Sequence, residues 1–400
     1  MLNDFEDNPG KNMSNTRIDQ PRSIFGLICL LVMGPMFFLL MPLYIGALVD
    51  HRGLSASQAG LLVSLELLGT CVAAVVAMFW IRRLSWRMVA LACAVVLVSG
   101  NLLSLLFVAN LPLLVALRLL TGFVSGCLVS LACAGLGDTR LPDRNFAFGV
   151  VGQLAISGTL FIVLPPVIVE VGVAAIFGCF ALCGTVAIIG ATLLPVSGVK
   201  HETSEVLRSP GAWNPLWGLA GGTIFFVATT AVWAYIERIG VASGLTGEFI
   251  GTMLGIGVFV SILGPLLAAW IGDRINRFWV MLVALIGQLA CLAFLRVGME
   301  GLTFAAFVIL YQFFWNLWVP YQMSVVAAVD TTGRFSVLIP LFQAAGIAIG
   351  PALAAIYLET AGYVAVNVIG VGFAVLALLL FVPVTLRYRT TQPVIVMETN

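Results

Sequence analysis

Charged residues are scarce in this chain of 400 residues: only 9% are Asp, Glu, Lys or Arg, while 61% are hydrophobic. The mean hydropathy of +1.10 lies far above that of soluble globular chains. The formal net charge is only +1, so it points to no charged partner by itself. We expect an integral membrane protein in contact with membrane lipid, with no nucleic-acid partner.

Histidine is almost absent, and the positions of the two histidines argue against chemistry built on them. His51 and His201 fall near opposite predicted membrane surfaces, so they do not form a shared metal or nucleophile site. The eight cysteines all fall inside apolar runs, where a thiol behaves as a small hydrophobe. They show neither zinc-ligand spacing nor a disulfide framework. We predict no catalytic centre, no metal and no cofactor.

Long apolar runs are the main feature of the sequence. A helix needs about 20 apolar residues to cross roughly 30 Å of hydrocarbon. Runs of that length, bounded by charges and turn residues, recur along the whole chain. They predict twelve transmembrane helices, at 23–49, 57–81, 86–108, 110–136, 145–169, 171–194, 214–237, 246–271, 278–297, 301–328, 335–358 and 362–386.

The longest polar interruption between these runs divides six predicted helices from six. The fold class is therefore an all-α membrane protein with two six-helix bundles. The predicted organisation is a disordered cytoplasmic N-terminus over 1–22, an N-terminal bundle over 23–194, a cytoplasmic linker over 195–213, a C-terminal bundle over 214–386 and a cytoplasmic tail over 387–400.

Basic residues are distributed unevenly between the two sides of the predicted membrane. With the N-terminus inside, the inner segments hold fifteen of the 19 Lys and Arg residues, and the outer loops hold only Arg52, Arg238 and Arg296. Arg118 is left inside a span. The positive-inside rule then places both termini in the cytoplasm, as an even number of spans requires. We expect a multi-pass protein of the cell membrane.

An internal repeat relates the two halves of the chain at an offset of about 190 residues. Identical residues recur in the same loops and spans, at Gly53 and Gly244, Leu54 and Leu245, Gly60 and Gly251, Arg144 and Arg334, and Gln153 and Gln343. Such symmetry is a mark of transporter folds, and it predicts that the two bundles are pseudo-symmetric.

Three segments resemble motifs of the major facilitator superfamily. After the eighth predicted helix, AWIGDRINR keeps the Asp-Arg and a later basic residue of the family's loop motif. After the second helix, MFWIRRLSWR keeps Arg83 and Arg87 but has Arg82 in place of the aspartate. In the fourth helix, RLLTGFVSG matches the family's arginine and spaced glycines, beginning with Arg118 and Gly122. The resemblance implies two six-helix bundles joined by a cytoplasmic linker.

The resemblance also implies a transporter that exposes a central site alternately to the two sides of the membrane. The residues that match the loop motifs are expected to act in conformational gating, and they are Arg83, Arg87, Asp273, Arg274 and Arg277. The Gly-Pro motif expected in the fifth helix of many proton-driven drug antiporters is missing from FGVVGQLAISGTLFIVLPPV. That departure disfavours a drug efflux antiporter.

Glu66 and Arg118 are ionisable residues inside predicted spans, where such groups are costly unless they are buried and partnered. They lie nine and eight residues from the outer ends of their helices, roughly 12–14 Å below the boundary at about 1.5 Å per residue. At that common depth the two side chains can meet. Two roles stay open: a static ion pair, or a proton-coupling pair in which protonation of Glu66 is linked to rearrangement.

The resemblance places the first, fourth, seventh and tenth helices around a central cavity. Aromatic faces with a few amide and hydroxyl groups suit an organic solute that has both apolar surface and hydrogen-bonding groups. Ordinary helix packing is the competing interpretation for each candidate. The candidate solute-binding residues are Phe37, Tyr44, Gln153, Phe226, Thr230, Trp233, Tyr311, Gln312, Trp315, Asn316, Gln322 and Gln343.

The sequence therefore favours a secondary active transporter, not an enzyme, that moves a small organic solute and is coupled to protons. No nucleotide-binding motif is present, so an ATP-driven pump would need a separate subunit. Two other interpretations stay open. One is a drug/proton efflux antiporter with the same fold, and the other is a membrane receptor that binds its ligand without moving it.

Overall fold

The computed structural model describes residues 18–81, 83–196, 213–271, 274–329 and 338–391. These residues form helices and no strand. In chain order the helices are α1 (Pro21–Met33), α2 (Met36–Leu39), α3 (Met41–Arg52), α4 (Ala56–Trp80), α5 (Trp86–Leu106), α6 (Leu111–Gly137), α7 (Pro142–Val171), α8 (Val173–Thr192), α9 (Trp213–Ala242), α10 (Gly247–Ser261), α11 (Leu263–Ile271), α12 (Arg277–Phe294), α13 (Gly301–Val329), α14 (Ile339–Ala361) and α15 (Tyr363–Thr391).

Eleven helical stretches among the described residues are long and apolar enough to cross a membrane, with mean hydropathies from 1.6 to 2.6 over their most apolar windows. One of the eleven, Gly247–Ile271, joins α10 and α11. The remaining span is the first in the chain, where the shorter apolar helix α1 is followed by α2 and α3. The predicted all-α fold with twelve membrane spans is confirmed.

The first predicted helix, 23–49, is interrupted, which corrects the expectation of one continuous helix. α1 ends before Pro35, which has no N–H to donate to the carbonyl of Leu31, four residues earlier. Gln153 of α7 satisfies that carbonyl instead, with Nε2 2.7 Å from its oxygen. The hydroxyl of Ser125 in α6 donates to the carbonyl of Gly34 at 2.5 Å. Side chains of two neighbouring helices therefore satisfy carbonyls at the interruption, one of which loses its backbone donor to Pro35.

The internal repeat is visible in the turns between spans. Gly53 and Gly244 both have positive φ, at 65° and 83°, a conformation that glycine adopts without strain. Each is followed two residues later by a hydroxyl residue that caps the next helix. Ser55 accepts a hydrogen bond from the N–H of Gln58, and Thr246 caps α10 in the same way. The two bundles thus begin their second spans with the same local structure.

The chain divides into two compact units, Met1–Ser204 and Glu205–Asn400. The first unit has a core in which Leu27, Trp86 and Leu128 are buried. The core of the second unit includes Phe225, Trp318 and Phe381. Each unit thus has its own hydrophobic core within the described residues.

The seventh predicted helix, 214–237, extends further than expected. α9 continues to Ala242, so Arg238 is not in an outer loop. Its side chain is only 4% exposed and forms a bidentate ion pair with its neighbour Glu237, with N–O distances of 2.6 and 2.8 Å. Pairing of the two charges allows both residues to stay inside the helical region.

Some predicted features lie outside the described residues. They are the gating candidate Asp273, Arg82 of the first loop, the start of the eleventh predicted helix, most of the linker 195–213, and much of the N-terminal and C-terminal segments.

Candidate functional site

Close packing of α4 against α6 forms the base of the candidate site in the first unit. A Cβ on Gly122 would overlap the backbone of Glu66, and a Cβ on Gly126 would lie 2.7 Å from the carbonyl oxygen of Thr70. The hydroxyl of Thr70 bridges the two helices by donating to the carbonyl of Gly122 at 3.0 Å. The glycines that follow Arg118 therefore bring the two backbones close enough for Glu66 and Arg118 to meet.

Glu66 and Arg118 form an ion pair inside the first unit. Arg118 Nη1 lies 3.3 Å from Glu66 Oε1, and the side chains are 0% and 2% exposed for Arg118 and Glu66. Thr121, one turn after Arg118, donates its hydroxyl to the same carboxylate oxygen at 2.9 Å. The structure thus brings the two predicted residues together, and it adds a hydroxyl donor on the carboxylate side.

Three further acceptors, all on α5, surround the guanidinium group. Nη1 donates to Asn101 Oδ1 at 3.0 Å, and Nη2 donates to the carbonyl of Gly100 at 3.3 Å and to the hydroxyl of Ser104. The guanidinium also lies over the ring of Phe177, 4.8 Å from its centroid. Neutral groups therefore share the stabilisation of the buried cation with Glu66.

Sequence reasoning missed Asn101, Ser104 and Thr121. A signal for them exists in the chain: Asn101 and Ser104 are polar residues three positions apart in an apolar span, and so share a helical face. Both are buried, at 1% and 0% exposure. Sequence periodicity identifies this face but does not say which neighbouring helix it meets.

Three polar atoms at the centre of the cluster make no hydrogen bond of good geometry among the described residues. They are Glu66 Oε2, Arg118 Nε and the hydroxyl of Tyr44, which lies beside both charged groups. Tyr44 is fully buried, and its ring packs edge-on against Phe177 and Phe180. A small cavity adjoins the cluster and is lined by Gly34 and Phe37 of the interrupted first span, by Glu66 and by Asn101, among others. The predicted solute residues Phe37 and Tyr44 therefore lie beside the ion pair.

In the second unit, three of the predicted solute-binding residues form a ring cluster. Trp315 of α13 contacts Phe226 and Trp233 of α9 edge-on, with ring centroids 6.4 and 6.0 Å apart. Trp315 is half-buried, whereas Phe226 and Trp233 are only 6% and 4% exposed. This aromatic cluster is the largest grouping of predicted solute residues in the second unit.

The predicted hydroxyl and amide residues of the second unit donate to neighbouring groups within it. Thr230 Oγ1 donates to the carbonyl of Phe226 at 2.6 Å, Gln343 Nε2 donates to Gln322 Oε1 at 2.9 Å, and Asn316 Nδ2 donates to the carbonyl of Gln312 at 3.0 Å. These bonds fix the orientation of each side chain. Gln343 and Gln322 are the one pair of predicted amides that bond directly to each other among the described residues.

Tyr311 and Gln312 point into the body of the second unit. The hydroxyl of Tyr311 is fully buried and donates to the carbonyl of Thr229 at 3.4 Å. Gln312 Nε2 lies 3.5 Å from the carbonyl of Leu254. Nearby Gln288 donates to Thr229 Oγ1 at 3.4 Å. These residues belong to a buried neutral network, in contrast to the charged cluster of the first unit.

Three of the four described gating arginines contact backbone carbonyls within their own units. Arg87 donates through Nε and Nη2 to the carbonyl of Leu194, at 3.0 and 2.7 Å, just beyond the end of α8. Arg274 donates to the carbonyl of Trp270 at 2.5 Å, and Arg277 lies 3.5 Å from the carbonyl of Ser324. Arg83 is exposed. Their predicted role in gating stays a prediction.

Among the described residues, no group of three or more His, Cys, Asp or Glu side chains could hold a metal ion. The chemistry available at the site is therefore that of one buried carboxylate, one buried guanidinium and the hydroxyl and amide groups around them. Such a site can bind, release or move a proton, and it can bind a polar solute group.

Solved transporter structures share this architecture. The similar structures include a bacterial homolog of the human lysosomal transporter Spinster in an inward-facing, unoccupied conformation, with 14% identity, a TM-score of 0.61, and coverage of 92% of this chain and 96% of that one. A mutant of the nucleoside transporter NupG gives 12% identity, a TM-score of 0.67 and coverages of 91% and 99%. The POT family transporter PepTSo has 11% identity and a TM-score of 0.69, and the match covers 93% of this chain and 99% of that one.

No curated protein sequence matches the chain. The Major Facilitator Superfamily matches it over residues 26–339, which is most of its length. That match begins within the first span and reaches the start of the eleventh. The chain therefore belongs to the Major Facilitator Superfamily, and it is a multi-pass membrane protein of the transporter type.

Proposed function

We propose that the chain is a secondary active transporter that moves a small organic solute across the cell membrane by alternating access, coupled to protons. The observation that carries this proposal is the Glu66–Arg118 cluster, an ion pair buried within apolar spans. Ionisable residues in such positions are costly, and they commonly mark ion and substrate pathways. A purely structural contact between α4 and α6 needs only the glycine packing already present.

The surroundings of Arg118 suit a carboxylate that changes protonation. Arg118 has neutral acceptors in Asn101, Gly100 and Ser104, so it keeps hydrogen bonds when the charge on Glu66 is neutralised. A carboxylate beside an arginine favours the anion, whereas one moved away from it in an apolar span favours the neutral form. A rearrangement that lengthens the Arg118–Glu66 contact would therefore take up a proton.

The solute class follows from the aromatic and amide groups of the predicted site. Trp315, Phe226 and Trp233 offer ring surface, and Asn316, Gln322 and Gln343 offer hydrogen-bonding groups. This combination suits a small organic solute with an apolar body and a few polar groups. NupG is a nucleoside transporter, but at 12% identity that likeness selects no substrate for this chain.

In this proposal both termini face the cytoplasm, so the loops that hold Arg83, Arg87, Arg274 and Arg277 lie on that side. The arginines would stabilise the state in which the helix ends on that side are closed, and these contacts would break in the state in which they are open. Solute and proton then both act on the same equilibrium between the two states, one open to each side of the membrane. Each then alters the binding of the other by the same factor.

The experiment that tests the proposal starts from purified protein in detergent. A library of small organic solutes is screened for those that raise the melting temperature, because a ligand of the folded state stabilises it. Each hit is then tested for counterflow in proteoliposomes, where labelled external solute exchanges with unlabelled internal solute.

Exchange above that of empty liposomes, inhibited by excess unlabelled solute, is the expected result. Binding without exchange would indicate a receptor that does not transport. Export of structurally unrelated hydrophobic drugs, driven by an inward proton gradient, would indicate an efflux antiporter. The first outcome would contradict the proposed function, and the second would replace it by the drug/proton efflux antiporter.

A further inference from the structure

A cavity of about 880 Å³ lies where the end of α12 meets the start of α15. Its lining combines three kinds of group: the guanidinium of Arg296, the polar side chains of Tyr363 and Asn367, and apolar surface along α15. The volume falls within the roughly 300–1,000 Å³ of small-molecule binding sites. The cavity belongs to the second unit alone, so it is separate from the Glu66–Arg118 cluster.

Arg296 is the one charged residue in the lining of this cavity. It is exposed in the loop that follows α12, and it makes no ion pair or hydrogen bond with any part of the chain that the structure describes. None of the lining residues is acidic. A cation without a partner at the mouth of a cavity attracts an anionic group.

The rest of the cavity runs along the apolar side of α15. This helix is the most apolar of the spans, with a mean hydropathy of 2.6 over its most apolar part. Val364 and Val368, one turn apart, are 68% and 64% exposed. Gly372 continues the same helical face, and nothing lies within 4 Å of the position where its Cβ would be. This exposed apolar face shares the cavity lining with Arg296 and Tyr363, and it is typical of surface that contacts lipid chains.

The wall of the cavity is held in place by Asn367. Its Nδ2 donates to the carbonyls of Leu292 and Leu295, at 3.0 and 2.8 Å, at the C-terminal end of α12. These bonds join α15 to the end of α12 and fix the start of the loop that holds Arg296. The position of Arg296 above the apolar face is therefore built into the fold and does not depend on a ligand.

We propose that this cavity binds a phospholipid of the surrounding bilayer that has an anionic headgroup. The phosphate binds Arg296 at the membrane surface, and one acyl chain lies along Val364, Val368 and Gly372. The pairing of an unpartnered cation with an exposed apolar face matches both ends of such a lipid. A second cavity, of about 490 Å³ between α12 and α13, has no charged lining residue, so it cannot select a headgroup.

The test measures lipid binding by the full-length protein purified in detergent. Phosphatidylglycerol is titrated in, and bound lipid is counted by native mass spectrometry while the melting temperature is followed. Phosphatidylcholine, whose net charge is zero, and glycerol 3-phosphate, which has no acyl chain, are the comparison ligands. The wild type is expected to retain phosphatidylglycerol in preference to both.

Two variants address the two ends of the site. Arg296→Gln removes the cation and is expected to weaken phosphatidylglycerol binding about fivefold, to the level of phosphatidylcholine. Gly372→Leu fills the apolar part without a clash, because the Cβ position is open. It is expected to weaken both phospholipids. The matched controls are Arg52→Gln, an exposed arginine of the first unit, and Gly178→Leu, a glycine of α8 with an equally open Cβ position.

Each outcome decides the proposal. The proposal is supported if Arg296→Gln loses the preference for phosphatidylglycerol and Gly372→Leu loses lipid retention, while both controls behave as the wild type. Equal retention of the two phospholipids by the wild type overturns the headgroup selection. Binding of glycerol 3-phosphate as tightly as phosphatidylglycerol overturns the role of the acyl chain and makes the site one for a free organic phosphate. Normal binding in both cavity variants places the lipid elsewhere.

Discussion

Glu66 and Arg118 are energetically coupled because each neutralises the other in a buried position. Removing one member of such a pair leaves an uncompensated group, at a cost of about 3–5 kcal/mol when nothing else stabilises it. Here Asn101, Gly100 and Ser104 also bind the guanidinium, so the cost of losing Glu66 is reduced. The Glu66→Gln variant is therefore expected to fold, with a lower melting temperature.

The first prediction is that the stability effects of the two residues are coupled, which a double-mutant cycle measures. Glu66→Gln, Arg118→Gln and the double variant are compared by denaturant unfolding in detergent micelles. The double variant is expected to be more stable than the sum of the single losses implies, by about 0.5–3 kcal/mol. As a control, Glu66→Gln combined with Gln288→Leu of the other unit should be additive. Additivity of the Glu66 and Arg118 variants would show that the pair is not coupled.

The second prediction concerns the aromatic cluster of the second unit. Trp315→Ala removes the ring that contacts both Phe226 and Trp233. Asn316→Ala removes an amide, and if that amide bonds the solute, the binding free energy falls by about 1 kcal/mol. Both variants are expected to bind the solute found by the melting screen more weakly than the wild type. Trp217→Ala, an exposed residue on α9, is the control. Wild-type affinity in both variants, with normal melting, would move the solute site elsewhere.

At the scale of helices, the glycine contact between α4 and α6 decides whether the ion pair forms. Gly122 faces the backbone of Glu66 directly, so any side chain there must separate the two helices. Small residues at helix interfaces in membranes allow this close approach, and van der Waals packing then stabilises it. The motif that identified the family in the fourth span thus has a local physical role.

The third prediction tests that role with a single methyl group. Gly122→Ala is expected to lower the free energy of unfolding by about 1–3 kcal/mol, as overpacking of a tight contact does. Gly178→Ala on α8, where nothing lies within 4 Å of the Cβ position, should be neutral or stabilising. Melting of the purified variants in detergent measures both. Equal stability of Gly122→Ala and the wild type would mean that the helices do not pack so closely.

The sequence predicted the helices that form this site and its two charged residues better than it predicted the contacts between the helices. Apolar runs located the spans, and the depth of Glu66 and Arg118 in their helices indicated that they could meet. The interruption of the first span was not predicted, because a proline within an apolar run, here Pro35 and Pro42, can either kink a helix or end it. Which one occurs depends on donors from other helices, here Gln153 and Ser125. Sequence periodicity cannot supply those contacts.

At the scale of the whole molecule, the two units share their turns but differ in their buried polar groups. The first has the Glu66–Arg118 cluster, whereas the second has the neutral network of Gln288, Tyr311 and Thr229. The buried ion pair of the second unit, Glu237–Arg238, joins neighbouring residues of one helix. By the offset of 191 residues seen in the loops, the position of Glu66 corresponds to Gly257. The repeat thus conserves architecture but not the carboxylate at the position of Glu66, and our proposal assigns proton coupling to the first unit alone.

The fourth prediction is the orientation of the chain. The uneven distribution of basic residues predicts that both termini lie in the cytoplasm. In a cysteine-depleted variant, a single cysteine at Ser55 should be labelled by an impermeant thiol reagent from outside intact cells. A single cysteine at Ser85 should be labelled only after permeabilisation. Labelling of both positions from the same side would contradict the predicted path of the second span.

The central claim is that Glu66 exchanges the proton that drives transport. The most direct measurement follows uptake of the identified solute into proteoliposomes, with and without an imposed pH gradient, for the wild type and for Glu66→Gln. The substitution keeps the shape of the side chain and removes its titration. We predict that the variant loses gradient-driven accumulation but retains counterflow, which also shows that it is folded. Gradient-driven accumulation by Glu66→Gln at the wild-type level would contradict the account and leave the ion pair a static contact.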